Sequence, residues 1–89
     1  MATAQATIAS SVGLHARPAA LFVQEATATG LPVKIAKEGG DPVDARSILA
    51  VMALGAKHGE TVTLTAEGDG AEAALDKLVA LLSRDLDAE

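Results

Sequence analysis

The sequence predicts an α+β fold in which a four-stranded antiparallel sheet is covered on one face by three helices, an open-faced β-sandwich. Four short segments alternate apolar with polar residues, as half-buried strands do, and three others repeat apolar residues at helical spacing. The elements follow the order strand, helix, strand, strand, helix, strand, helix. Because hairpins mix with helical excursions in this order, an antiparallel sheet with its helices on one face is favoured.

The first half of the chain is expected to hold three strands and one helix. Alternation over residues 3–8 predicts the first strand, and the second covers 33–36 before a Gly-containing turn and a short strand near Val43. The helix begins at about His15 and ends at Ala28, since Pro18 is tolerated only in a first helical turn. The apolar residues that helical spacing brings together on this helix are Ala20, Leu21, Val23 and Ala28.

The second half is expected to add two helices and one strand. Ser47 is a typical N-cap for a brief helix over 48–54, which Gly55 terminates. Alternation over 61–66 predicts the last strand, and a final helix follows from about residue 71 to 86. The last residues, 85–89, are expected to fray. The predicted buried stripe of the final helix comprises Leu75, Leu78, Val79, Leu82 and Leu86.

Composition limits the classes of protein to consider. Eighty-nine residues are enough for one domain, 1–89, and too few for two. The chain has no cysteine, a net charge of −5 and a single aromatic residue, Phe22, which argues against disulfides and against nucleic acid as a partner. Its first residues show neither the basic nor the apolar region typical of a secretory leader, and no apolar run approaches about 20 residues. We therefore expect a cytoplasmic monomer that binds no membrane, cofactor or metal ion.

The segment between the first strand and the first helix carries the candidate chemistry. His15 stands where the helix begins, and a helix start offers unpaired amide groups and a partial positive charge that together bind phosphate. The amides of Ala16 and Arg17 are candidates for this role. Arg17 also adds a permanently charged donor fork, while Pro18 presets the first turn and Gly13 permits an unusual backbone angle.

An imidazole in this position can act as a nucleophile. It is largely neutral at cytoplasmic pH, so it can attack a phosphoryl donor without a separate base. The resulting bond between nitrogen and phosphorus is labile, which suits a group that is accepted and then passed on. A plainer explanation is that His15 caps the helix and Arg17 solvates its first turn.

Two sequence motifs resemble one known family. Residues 13–19 read Gly-Leu-His-Ala-Arg-Pro-Ala and resemble the active-site motif of the histidine-containing phosphocarrier (HPr) family of the bacterial sugar phosphotransferase system. Residues 43–52 are similar to its second signature, so the resemblance covers nearly the whole chain. It implies the predicted fold and a carrier that is not itself an enzyme.

The resemblance also implies roles for individual residues. His15 would be phosphorylated at Nδ1 by enzyme I, which draws on phosphoenolpyruvate, and Arg17 would stabilise the phosphoryl group. The group would then pass to sugar-specific enzyme IIA domains. Two positions depart from the family pattern. Val12 stands where members often have a small polar residue, which Ser11 could replace, and Ala50 stands where glycine is common.

The brief helix after Ser47 is expected to serve recognition. The resemblance implies a second role for Ser47 besides capping, because some family members are phosphorylated on this serine by a dedicated kinase and then regulate carbon catabolism, with a transcriptional regulator as a further partner. Too many apolar residues follow within two turns for one buried stripe. Of these, Ile48 and Val51 are expected mainly in the core and Leu49 and Met52 nearer the surface. The residues assigned to partner docking, called the docking surface below, are Arg46, Ile48, Leu49 and Met52.

Other interpretations of the sequence remain open at this stage. The chain could be the phosphocarrier of the paralogous nitrogen-related phosphotransferase branch. It could also be a small regulatory domain in which His15 and Arg17 bind an anionic metabolite without forming a covalent bond. The second histidine, His58, lies in a turn context and is expected to be a solvated loop residue.

Overall fold

A computed structural model describes residues 1–84 of the chain. The strands and helices follow one another along the chain in the predicted order. Their bounds are β1 (Ala2–Thr7), α1 (Ala16–Ala28), β2 (Val33–Lys37), β3 (Val43–Asp44), α2 (Ile48–Leu54), β4 (Thr61–Ala66) and α3 (Ala71–Leu82).

The four strands form one antiparallel sheet in the order β1-β4-β2-β3. The central strand β4 pairs with β1 on one side and with β2 on the other, so that Leu64 lies between Ala4 and Ile35. Helix α3 packs against β1 and β4, and α1 packs against both other helices. The four-stranded antiparallel sheet with three helices packed on it confirms the predicted fold class.

The core is aliphatic, as the composition predicts, and is built around Phe22. Alternation along β1 and β4 places apolar residues inward and threonines outward, and each large aliphatic side chain buried in this way contributes about 1.5–3 kcal/mol. The largest fully buried side chains are Ile8, Leu14, Pro18, Phe22, Val33, Ile35, Val51, Val62, Leu64, Leu75 and Leu78.

The rotation of α1 about its axis differs from the prediction. The residues predicted to share its apolar face are half-buried or exposed, whereas the buried positions begin at Pro18, two residues before the first predicted one. Phe22 decides this rotation, because the largest apolar side chain of the helix must enter the core and the flanking alanines can be accommodated on either side. The residues of α1 that are buried are Pro18, Ala19, Phe22 and Ala26.

Helix α3 ends at Leu82, earlier than the predicted end at residue 86. Its C-cap residue is Ser83, and the carbonyl of Leu82 accepts a hydrogen bond from Ala9 N at 3.0 Å, which ties the end of the helix to the segment after β1. Leu75, Leu78 and Leu82 are buried as predicted, and Val79 is half-buried. Leu86 and the expected fraying of 85–89 lie outside the described residues. Within 1–84, no helix is long and apolar enough to cross a bilayer.

Candidate functional site

His15 is the N-cap residue of α1 and is exposed. Its backbone is extended, with φ −130° and ψ 162°, at the point where the chain enters the helix. Among the described residues, the His15 side chain makes no capping hydrogen bond. The imidazole therefore belongs to the residue at which the helix begins and is not engaged in capping it.

The residue after His15 has an uncommon backbone conformation. Ala16 has φ +48°, and it is the only residue other than glycine among 1–84 with a positive φ. A left-handed conformation costs an L-amino acid about 1–2 kcal/mol, and such strain clusters at functional sites. Alanine gives no sequence signal for a positive φ, so sequence reasoning missed this feature of the site.

The backbone just before His15 is held by the loop at 55–60. Leu14 is fully buried, and its amide donates to Ala56 O at 2.9 Å. Gly13 has φ +74°, and a Cβ added there would lie 2.5 Å from Ala56 O. This close approach and the positive φ both require glycine, which confirms the prediction of an unusual backbone angle at this position.

Arg17 is exposed in the first turn of α1, two residues after His15. A helix start with a nearby guanidinium is suited to an anion, because the helix dipole, the first amides and the cation all favour negative charge there. Val12 lies in the preceding turn and is 52% exposed. The described residues contain no group of three or more metal-ligating side chains.

The docking surface lies on α2 and the residue just before its N-cap, and α2 packs against α1, the helix that begins after His15. Leu49 is 78% exposed and Met52 38%, while Val51 is fully buried, as predicted. The prediction that Ile48 lies mainly in the core is wrong, since it is also 38% exposed. Ile48 is the first residue of α2. Because helical side chains lean towards the N-terminus, the Ile48 side chain extends past the end of the helix, where less of it is buried.

Ser47 caps α2 as the sequence predicts. Its backbone is extended, and its Oγ accepts a hydrogen bond from Ala50 N at 3.3 Å. Asp44 organises the preceding turn, because its Oδ1 accepts from Arg46 N at 2.9 Å and from Arg46 Nε at 3.3 Å. The hydrogen bond from the Arg46 amide, helped by the guanidinium, lowers the pKa of the exposed Asp44 carboxyl below its usual value.

Ser47→Ala should lower the free energy of unfolding by about 1 kcal/mol, because it removes the cap on the Ala50 amide. Ser47→Asp should retain most of this stability, since aspartate is also a preferred N-cap. Urea denaturation of the three proteins measures the effect. Equal midpoints for wild type and Ser47→Ala would contradict a stabilising cap.

His58 is exposed, as expected, but it is more than a solvated loop residue. Its Nδ1 lies 3.2 Å from Ser10 O, across 48 positions of sequence, and the Ser10 residue is buried. Local sequence shows only that the histidine lies in a turn. The fold brings the turn that contains Ser10 next to His58, so this contact was not predictable from the chain alone.

The chain matches one protein family over nearly its whole length. A family model described as the PTS HPr component phosphorylation site matches residues 2–84. The chain belongs to the HPr family. It is 51% identical over 87 residues to phosphocarrier protein HPr of Streptomyces coelicolor, covering 98% of this chain and 94% of the relative.

Other HPr relatives agree with this assignment. A crystal structure of HPr-C-His from Thermoanaerobacter tengcongensis superposes with a TM-score of 0.86 at 43% identity, covering 92% of this chain and 91% of that one. The HPr-like protein Crh of Halalkalibacterium halodurans is 39% identical over 85 residues, covering 96% of this chain and all of that protein. Membership makes the chain a phosphocarrier component of the phosphotransferase system and not itself an enzyme.

Proposed function

We propose that His15 is the residue of this HPr family member that carries the phosphoryl group. The observation that supports this most directly is the exposed imidazole at the N-cap of α1, followed at once by the strained Ala16. A helix start stabilises a negatively charged group there, and the imidazole supplies the nucleophilic nitrogen. The carrier is a cytoplasmic monomer, with residues 1–89 forming one phosphocarrier domain.

The transfer uses the neutral form of His15 with its proton on Nε2, which leaves the Nδ1 lone pair free to attack. A bond forms between Nδ1 and phosphorus while the bond between phosphorus and the donor breaks. The guanidinium of Arg17 and the amides of Ala16 and Arg17 stabilise the phosphoryl oxygens. Enzyme I is the donor and enzyme IIA domains are the acceptors, which receive the group by the same step in reverse.

The test is the chemistry of the adduct. Incubation with enzyme I and labelled phosphoenolpyruvate should give one acid-labile, base-stable phosphoryl group per chain. ¹H–¹⁵N spectra of the imidazoles should place it on Nδ1 of His15. An acid-stable adduct would contradict the proposal. Reversible binding of phosphoenolpyruvate without label would also contradict it, and would favour a non-covalent anion site. Faster labelling by a nitrogen-branch enzyme I would place the chain in that branch.

We propose that both partners contact the docking surface. Leu49 and Met52 give it exposed apolar area, and Arg46 gives it positive charge that complements acidic partners. Leu49 and Met52 lie on α2, which packs against the helix that begins beside His15. A partner seated there can therefore present its own phosphoryl-bearing group to the imidazole.

Leu49→Ser should raise the KM of enzyme I for the carrier about tenfold, a loss of about 1.4 kcal/mol of binding free energy, because Leu49 is the most exposed apolar residue of the docking surface. Its free energy of unfolding should change by no more than about 0.5 kcal/mol. Val51→Ala is the matched control on the same helix. Since Val51 is fully buried, it should lose stability while the KM stays near that of the wild type. An unchanged KM for Leu49→Ser would contradict the assignment.

Ser47 is proposed as a regulatory phosphorylation site for a serine kinase, with a transcriptional regulator as a further partner. A phosphate adds a charge of about −1.5 to −2 immediately before Ile48 and next to Arg46. That charge opposes the approach of an acidic partner to the docking surface. Phosphorylated protein should therefore accept a phosphoryl group from enzyme I more slowly, which stopped labelling reactions would measure.

A further inference from the structure

The turn that leads to His15 is held at its start by the carbonyl of Ser10. This oxygen accepts a hydrogen bond from Gly13 N at 3.0 Å, which closes the turn, and lies 3.2 Å from His58 Nδ1. Ser10 is only 2% exposed, so competition from water at this carbonyl is limited. The imidazole of His58 thus reaches the same oxygen that closes the turn.

The loop that carries His58 also holds both sides of this turn through its backbone. Gly59 N donates to Ile8 O at 2.8 Å, just before the turn, and Leu14 N donates to Ala56 O at 2.9 Å, just after it. Ile8 N also donates to Glu60 O at 2.9 Å, so four hydrogen bonds attach the segment from Ile8 to Leu14 to the loop. The contact from His58 is made by a side chain.

A hydrogen bond at this distance requires a proton on Nδ1 of His58. A backbone carbonyl can only accept, so the hydrogen bond forms only when Nδ1 carries a proton. Neutral imidazole in water favours the proton on Nε2, and the carbonyl of Ser10 therefore selects the other form. This selection gives the contact a spectroscopic signature that loop packing alone would not produce.

We propose that His58 is a positioning residue for phosphoryl transfer. By donating from Nδ1 to Ser10 O, it holds the turn at 10–13 in place, and with it the backbone that delivers His15 to the start of α1. Small displacements of a reacting group lower transfer rates steeply, because the approach of nucleophile and phosphorus must be aligned. The proposal rests on the proposed function of His15. Its structural half, which is the hydrogen bond from His58 to Ser10 O and its hold on the turn, can be measured without phosphorylation.

The structural half is tested on the unphosphorylated protein. ¹⁵N spectra should show neutral His58 with its proton on Nδ1. His58→Ala should speed amide exchange at Gly13 about three- to tenfold, the effect of losing one hydrogen bond, while Gly30 at the far end of α1 should be unaffected. A proton on Nε2, or unchanged exchange at Gly13, would overturn the proposal.

The functional half is tested by labelling from enzyme I. His58→Ala should lower kcat about three- to tenfold with KM nearly unchanged, because alignment is lost and docking is not. His58→Asn should restore the rate, since its amide nitrogen takes the place of Nδ1, whereas His58→Gln places its amide near Nε2 and should not. Lys57→Ala, an exposed change in the same loop, should behave like the wild type.

The outcomes separate the two proposals. If wild type is labelled on His15 and His58→Ala matches it in kcat, or if glutamine restores the rate as well as asparagine does, the positioning role is wrong while the function of His15 stands. If wild type takes no label on His15, the function fails and the positioning role, defined for that transfer, is overturned with it.

Discussion

His15→Ala will take up no label from enzyme I and phosphoenolpyruvate above background, because alanine has no nitrogen that can attack phosphorus. The fold should be unaffected. The His15 side chain is exposed and makes no capping hydrogen bond among the described residues, so its removal should change the free energy of unfolding by no more than about 0.5 kcal/mol. Labelling and urea denaturation on the same preparation measure both quantities.

The second histidine provides the matched control. The chain contains only two histidines, so His58→Ala should still accept one phosphoryl group per chain, although more slowly, whereas His15→Ala accepts none. Stoichiometry at completion therefore separates the residue that carries the group from the residue that positions it. Residual acid-labile label on His15→Ala at the wild-type stoichiometry would show that the carrier function lies elsewhere.

Local sequence signals were sufficient for most of the fold and for the start of the site. Alternation predicted the strands, Ser47 predicted an N-cap, and Gly13 predicted an unusual backbone angle, because each of these depends on neighbours within a few residues. The position of His15 at the start of α1 followed from Pro18 in the same way. These features needed no knowledge of the distant chain.

The sequence predictions that were wrong concern features that are determined by packing between elements. Helical spacing predicted an apolar stripe on α1 but not its rotation, which Phe22 fixes against the sheet. Ile48 was expected in the core because it is apolar, yet its place at the first turn of α2 leaves it partly exposed. The contact between His58 and Ser10 joins two loops that only the sheet brings together. Long-range geometry of this kind has no local signal.

Gly13→Ala should be strongly destabilising. Its φ of +74° strains any L-amino acid, and the added Cβ would meet two backbone atoms, Ala56 O at 2.5 Å and Lys57 Cα at 3.0 Å. Backbone atoms cannot swing away as a flexible side chain can, so the loop at 55–60 must move. We expect a loss of about 3 kcal/mol, or ~12–24 °C in the midpoint of thermal unfolding.

Gly30→Ala separates the two causes of this loss. Gly30 has a similar φ of +70°, but a Cβ there would have nothing within 4 Å, so only the conformational cost remains. We expect about 1 kcal/mol for this control, or ~4–8 °C. Equal losses of stability for the two variants would show that the loop at 55–60 moves away from the added Cβ at no cost in free energy. The larger loss at Gly13 would instead show that the backbone before His15 is fixed by its close approach to Ala56, and transfer from enzyme I should then slow in Gly13→Ala alone.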